Sequence, residues 1–512
     1  MRLLRMSLPR FHDTGGLEID FGVQRQEDPA LSFLVGPNGS GKSRLLEAMG
    51  QIFAHVAAGV PPGFPFEVEY ELGDSRVLLG TEKQIERIVD VPRLPQVGAW
   101  LLVSPADSFG GWLAEHAQRA WPTYLEEVLP FRVVGISSGP ASRLQWALRD
   151  SVAASLSLRL GGGEGPGAEG IREQNREVEM EEEIVREKLA ELVTEPHCLA
   201  IEGRELALAM LALLSHRRSR QSAILERDEI LRKAHLSVGS LQSFSFEIAA
   251  DWRARLPPGE QRMFATFMEQ AVRRVSLARS SADGEQRDLR AVFVYDEVLG
   301  EWIDQYAKTP FRWFTRLHTW LKTGALRTPE LLLHLPGREG LVRHFDLSDG
   351  EFLYVGRYAL LLLLREHEGC LVLLDEPETH FNDRWKIDLV YDMERIMQGS
   401  QTQLVLATHS DLTLTDADRS DVFVFDDDYG GDGMNPAPPS ISPLGADRSE
   451  ITQQVFGARS ASGRRATEIV EHALEHKEPA ELEDTLRRLG PGFQRFRLRY
   501  AIEREGEDRD AS

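Results

Sequence analysis

Apolar and polar positions along the chain sort into a small number of elements. The first 40 residues read as strand, turn, strand, and then run apolar from Leu31 to Val35, the pattern of a strand buried on both faces. Ser43 to Val56 repeats apolar positions at helical spacing. Phe66 to Leu72 (FEVEYEL) and Ser75 to Gly80 (SRVLLG) alternate or run apolar as paired strands do. Ala99 to Ser104 and Phe131 to Ser137 are two further strand candidates. From Ile171 to about Leu277 the pattern is helical and heavily charged, and strand-like order returns at Cys370 to Leu374 and Gln403 to Ala407. Strands at both ends with a helical stretch between them predict one sheet domain interrupted by an insertion.

Two composition breaks punctuate this order. Leu160 to Gly170 (LGGGEGPGAEG) reads as a glycine linker, and Gly430 to Pro443 (GGDGMNPAPPSISP) is a stretch no helix or strand tolerates. The expected organisation is therefore a first sheet lobe over 1–150, a mainly helical insertion over 151–335, a second sheet lobe over 336–428, and a linker with a helical tail over 429–512. No internal repeat is present.

Gly36 to Ser43, GPNGSGKS, follows the apolar strand and opens the first helix. That is the eight-residue phosphate-loop pattern in its required context. Gly36, Pro37, Asn38, Gly39, Ser40 and Gly41 would turn successive backbone N–H groups toward phosphate oxygens, with Arg44 in the first helical turn behind them. Lys42 would reach the β- and γ-phosphates, and Ser43 would ligate Mg²⁺. The pattern predicts ATP and Mg²⁺ as cofactors.

Leu371 to Glu376, LVLLDE, is an apolar run closed by two carboxylates. A buried parallel strand delivers its last side chains to the sheet edge where a phosphate loop also sits. Asp375 would hold Mg²⁺, and Glu376 would orient and deprotonate the attacking water. Gln403 to Ser410, QLVLATHS, is a second apolar strand with a polar end, and His409 stands 34 residues after Asp375, room for one helix from Trp385 to Met397. His409 could sense the γ-phosphate there, or act as a structural cap.

His344 to Glu351, HFDLSDGE, precedes an apolar helical run, and its Ser348-Asp349-Gly350 turn is an anion-binding arrangement that alone would read as a helix cap. Phosphate loop, LSDGE, LVLLDEPETHFN and LVLATHSD, in this order, closely resemble the ABC-type ATPases. The resemblance covers residues 1–60 and roughly 340–425. It implies an α/β fold, an ABC-type P-loop ATPase head with a mixed sheet flanked by helices, a large mainly helical insertion and a helical carboxyl-terminal tail. It implies catalytic roles for Lys42, Glu376 and His409, a signature at Ser348 and Gly350, a D-loop at EPETHFND, and a homodimer that sandwiches ATP. Ser348 lies 305 residues after Ser43, an insertion like those of the soluble SMC/RecF/OLD-like branch rather than of a compact transporter subunit. The EPETH string, Leu129 to Gly139 and the tail LEDTLRRLGPGFQRFRLR resemble restriction-associated AAA family ATPases of prokaryotic antiphage loci. Asp349 and Glu351 stand where many members carry glycine and glutamine. Gln145 is the candidate Q-loop residue, with a core glutamine opening a helix as the alternative.

Composition narrows the field further. The 512 residues carry 59 basic and 81 acidic side chains, a net charge of −22, which argues against coating nucleic acid by bulk electrostatics. Local basic clusters remain at His216 to Arg220, at Arg273, Arg274 and Arg279, and at Arg495, Arg497 and Arg499, so DNA stays a candidate partner. The longest apolar run, Leu206 to Leu214, is nine residues against the roughly 20 needed to cross a bilayer, and two cysteines make no disulfide framework. The expectation is a cytoplasmic protein without a membrane span. Asp426 to Asp428 follow the strand DVFVF and read as the close of the last sheet strand, not as a nuclease site. The resemblance thus implies an ATP-hydrolysing protein that dimerises around ATP to drive conformational change in a partner or nucleic-acid complex, with a separately encoded effector such as a nuclease, in antiphage defence/restriction or DNA maintenance. A transporter ATPase subunit and a non-hydrolysing ATP clamp are the rivals.

Overall fold

The computed structural model describes the chain except for residues 12–15, 23–28, 59–61, 82–92, 95–98, 106–127, 138–143, 145–146, 149–196, 217–223, 238–239, 278–286, 338, 426–435, 459–461, 477 and 511–512. Its strands, in chain order, begin with β1 (Arg2–Leu8), β2 (Leu17–Asp20), β3 (Ala30–Val35), β4 (Glu67–Leu72), β5 (Ser75–Thr81), β6 (Arg93–Leu94) and β7 (Ala99–Pro105). β8 (Val133–Ser137) and β9 (Cys198–Ile201) follow, then β10 (Leu241–Ile248), β11 (Arg273–Ser276), β12 (Leu289–Val294), β13 (Leu326–His334) and β14 (Leu341–Arg343). The last are β15 (Leu371–Asp375), β16 (Gln403–Thr408) and β17 (Val422–Val424).

The central sheet has the order β17-β3-β16-β15-β8-β9, and every pairing in it is parallel. Its strands are buried and mostly apolar because both faces are covered. In β15, Leu371 and Leu373 enter one core and Val372 and Leu374 the other; β16 divides Leu404 and Leu406 from Val405 and Ala407 in the same way. One face packs on the helix Lys42–Ala58 and on the antiparallel sheet β2-β1-β4-β5-β7-β6. The opposite face packs on the helices Gly203–Ser215 and Asp349–Leu364. The apolar run Leu206 to Leu214 lies in the first of these helices and is buried all round. A Cβ on Gly356 would stand 2.8 Å from Leu206 Cβ, so glycine lets the two helices approach this closely.

The stretch between the two lobes differs from its helical reading. Its helices pack on a five-stranded antiparallel sheet, β11-β12-β10-β13-β14. The strand segment LQSFSFEI turns Phe244, Phe246 and Ile248 into the core while Ser243 and Glu247 are only half-buried, an alternation too short and too serine-rich to stand out against the charged helices around it. Phe293, Phe267, Trp313 and Trp320 complete an aromatic core beneath it, with Phe267 and Phe293 stacked at 4.4 Å. Residues 151–196, which include the acidic run from Glu177, lie outside the described residues.

The tail is helical from Arg448 onward, and three helices, Arg464–His476, Pro479–Arg488 and Phe493–Asp510, share a small core of Val470, Ala473, Leu482 and Leu498. Phe493, Phe496 and Tyr500 point away from it, with 66%, 64% and 53% exposure. Among the described residues no helix is long and apolar enough to cross a membrane.

Candidate nucleotide site

β3 leads into the phosphate loop, and the loop's backbone requires its glycines. Gly36, Gly39 and Gly41 have φ of 145°, 87° and 106°, where side chains are strained. A Cβ on Gly36 would also lie 2.4 Å from the Phe425 carbonyl oxygen beyond β17. Lys42 is 5% exposed, and its ammonium donates to the carbonyls of Gly36 and Pro37, each at 2.8 Å. Asn38 and Gly39 are exposed, while Arg44 is half-buried at the start of the helix.

β16 lies between β3 and β15, so the ends of all three strands share one edge. Ser43 Oγ donates to Asp375 Oδ1 at 2.9 Å across that edge. Burial pushes the Asp375 carboxyl above the usual range and Glu376 adds to the rise, while the Ser43 hydrogen bond and Lys42 oppose it. A hydroxyl and a carboxylate at this spacing are hard oxygen donors of the kind Mg²⁺ takes alongside phosphate. The glycine cradle, the buried ammonium and this oxygen pair fit a nucleotide with its metal.

Glu376 follows β15 in a left-handed conformation, φ 50°, unusual for a residue with a side chain. Its N–H donates to the Ala407 carbonyl at 2.9 Å, which pins the strained residue to β16. The side chain is 47% exposed, with Oε1 3.6 Å from His409 Nε2, and Thr379 Oγ1 donates to Oε2 at 3.4 Å. Burial and the neighbouring Lys42 hold the His409 imidazole below its ordinary pKa, against the pull of Glu376. This environment favours the neutral imidazole.

Ser348 caps the helix Asp349–Leu364, its Oγ accepting from the Glu351 N–H at 3.2 Å. Glu351 Oε2 accepts in return from the Ser348 N–H at 2.9 Å and from its hydroxyl at 2.8 Å. Glutamate at this position thus completes a capping box. Gly350 is buried against the turn after β15: a Cβ there would stand 2.5 Å from the His380 carbonyl oxygen. His380 itself has φ 69°. Gln145 lies outside the described residues, as do Asp426 and Asp428.

Three residues given no role by the sequence belong to this edge. Glu378, Thr408 and Arg357 are buried at 6%, 0% and 1% exposure; Glu378 and Thr408 link the turn after β15 to the end of β16, and Arg357 donates to the Pro377 carbonyl of that turn. A glutamate between the proline and threonine of EPETH, two positions past the Asp375-Glu376 pair, is the available signal.

A parallel sheet with a phosphate loop at one strand end and an acidic pair at another is the core of a P-loop nucleotide-binding fold. Residues 220–415 match the family described as AAA domain, putative AbiEii toxin, Type IV TA system. That match takes in the signature helix, β15 and β16 and leaves the phosphate loop outside it. Solved structures with similarity include the SMC head domain from Thermotoga maritima, at 11% identity, covering 86% of this chain and 100% of that one, with a TM-score of 0.34. An SMC head bound to the C-winged helix domain of ScpA gives 11% identity, 85% and 98% coverage and a TM-score of 0.31. No curated protein matches the chain.

Proposed function

We propose that this protein is a Mg²⁺-dependent ATP hydrolase that closes as a homodimer around ATP and works on a separately encoded effector. The observation that carries the reading is the shared strand edge, where Lys42, Ser43, Asp375, Glu376 and His409 converge from three strands. Gly36 to Ser43 would hold the phosphates, with Lys42 moving from its own loop carbonyls to phosphate oxygen. Ser43 and Asp375 would hold Mg²⁺, which supplies charge neutralisation when bound. Glu376 takes the proton of the attacking water, and neutral His409 offers a hydrogen bond at the same face.

Ser348 and Gly350 would serve a second copy's nucleotide. The exposed Ser348 at a helix N-terminus supports this role. Phe493, Phe496 and Tyr500 would offer the effector a docking ridge, and the family's description as toxin-related favours antiphage defence over transport. Arg273 and Arg274, exposed on edge strand β11, keep DNA as a candidate ligand. A cytoplasmic location accords with these partners.

The decisive experiment is hydrolysis by wild type, Lys42→Ala and Glu376→Gln. Lys42→Ala should lose nucleotide binding. Glu376→Gln should bind ATP and hydrolyse it about 10²-fold or more slowly, the range expected for a lost general base. Equal rates in wild type and Glu376→Gln would overturn the base assignment.

A further inference from the structure

His409 reaches Glu376 because the main chain at the end of β16 is held in place, and one buried carboxylate does the holding. Glu378 Oε1 accepts from the Thr408 hydroxyl and from the His409 N–H, the latter at 3.2 Å. Thr408 Oγ1 accepts in turn from the Ser410 N–H at 3.0 Å, so the Thr408–Ser410 turn hangs on the Glu378 side chain. Glu378 Oε2 is buried and meets no hydrogen-bond donor among the described residues. The Arg357 guanidinium, from the helix that Ser348 caps, donates to the adjacent Pro377 carbonyl and lies 5.4 Å from the Phe381 ring, bracing the same turn from the other side.

A carboxylate is a costly way to secure a turn in a core. Leaving a buried acceptor unpaired carries a desolvation penalty that an apolar side chain would avoid. The hydrogen bonds Glu378 does make go to the one turn that carries His409. We propose that Glu378 is a positioning residue for hydrolysis, fixing the Thr408–His409 peptide so that the imidazole stays beside Glu376. It touches no reacting atom and acts through His409. The proposal rests on the assignment of Glu376 as base.

The test compares steady-state hydrolysis by Glu378→Ala, Glu378→Gln and Thr408→Val, with thermal melts to establish folding. Glu378→Ala should lower kcat at least tenfold and leave KM for ATP within twofold. Glu378→Gln keeps a carbonyl oxygen for both donors and should recover to within threefold of wild type. Thr408→Val removes one donor and should fall between them. In a Glu376→Gln background, adding Glu378→Ala should cost less than a further twofold, since the positioned group has lost its partner. An unchanged kcat in Glu378→Ala, equal losses in Ala and Gln, or a loss carried by KM overturns the proposal. Should Glu378→Ala fail to fold, the pair Thr408→Val and Glu378→Gln decides: a slowed valine variant beside a near-normal glutamine variant supports it, and a valine variant at the wild-type rate overturns it. Wild type and Glu376→Gln hydrolysing alike would overturn the base assignment and this proposal with it. A Glu376-dependent wild type untouched by Glu378→Ala overturns the proposal alone.

Discussion

Ser43 and Asp375 are separated by 332 positions in the chain and joined by one 2.9 Å hydrogen bond. The bond bridges the phosphate loop and the acidic strand end over the intervening end of β16, and under the proposed function these two oxygens hold the nucleotide-bound cation. Removing either donor should raise the Mg²⁺ concentration required for half-maximal hydrolysis. We expect a shift of about tenfold for Asp375→Asn and less for Ser43→Ala, read from Mg²⁺ titrations at saturating ATP. The double variant should be little worse than Asp375→Asn, because groups sharing one ligand couple. Additive shifts would mean the two residues serve different sites.

His409 gives the reaction a pH dependence of definite sign. Its folded pKa lies below the ordinary histidine value because burial and Lys42 disfavour the imidazolium. The neutral form therefore persists to lower pH than in a free histidine, and the acid limb of kcat should be centred below the ordinary histidine value of about 6.5. His409→Gln should lower kcat and abolish the histidine part of that acid limb. A limb centred above pH 6.5 would contradict the environment described.

ATP should drive self-association through the signature. Light scattering of Glu376→Gln should give a mass near one chain without nucleotide and near two with ATP and Mg²⁺. Ser348→Arg places bulk and charge at the helix N-terminus and should block the shift. An unchanged mass, or the same shift in Ser348→Arg, would refute the sandwich.

Gly350 couples the signature to the turn after β15 by contact. Gly350→Ala puts a Cβ within 2.5 Å of the His380 carbonyl, so one of two packed backbones must move. We expect about 1–3 kcal/mol of destabilisation, typical of overpacking, measured by denaturant unfolding. An alanine variant as stable as wild type would show that the turn yields freely.

Both cysteines should be inert in the folded protein. Cys198 and Cys370 are buried, and burial pushes their thiols up to about 12 and about 11. A thiol reagent at pH 8 should find none until denaturant is added and two thereafter, since the thiolate is the reactive form. Rapid labelling of the native chain would contradict this.

How much of this could be read from residues alone varied by element. The central strands were visible because a sheet covered on both faces demands unbroken apolar runs, as at Leu371 to Leu374. The phosphate loop was visible because its glycines and lysine are imposed by backbone conformation and by phosphate charge. The second antiparallel sheet was hidden: β10 alternates phenylalanine with serine over a few positions, and its partners lie far along the chain. Glu378 was hidden for a different reason. A carboxylate beside two others reads as solvated until burial and its Thr408 partner are known.

The order of strands in the central sheet also governs how the protein can be made. β3, which carries the phosphate loop, has β16 and β17 as its two neighbours, and both are translated more than 360 residues later. Until then Leu31, Phe33 and Val35 sit on a strand with two open edges. Pairing of this kind closes slowly and leaves sticky intermediates exposed. During synthesis, then, the loop after β3 emerges long before the two strands that fix its place. A nascent or truncated chain ending before residue 403 would lack both flanking strands of β3 and should depend on chaperones to stay soluble.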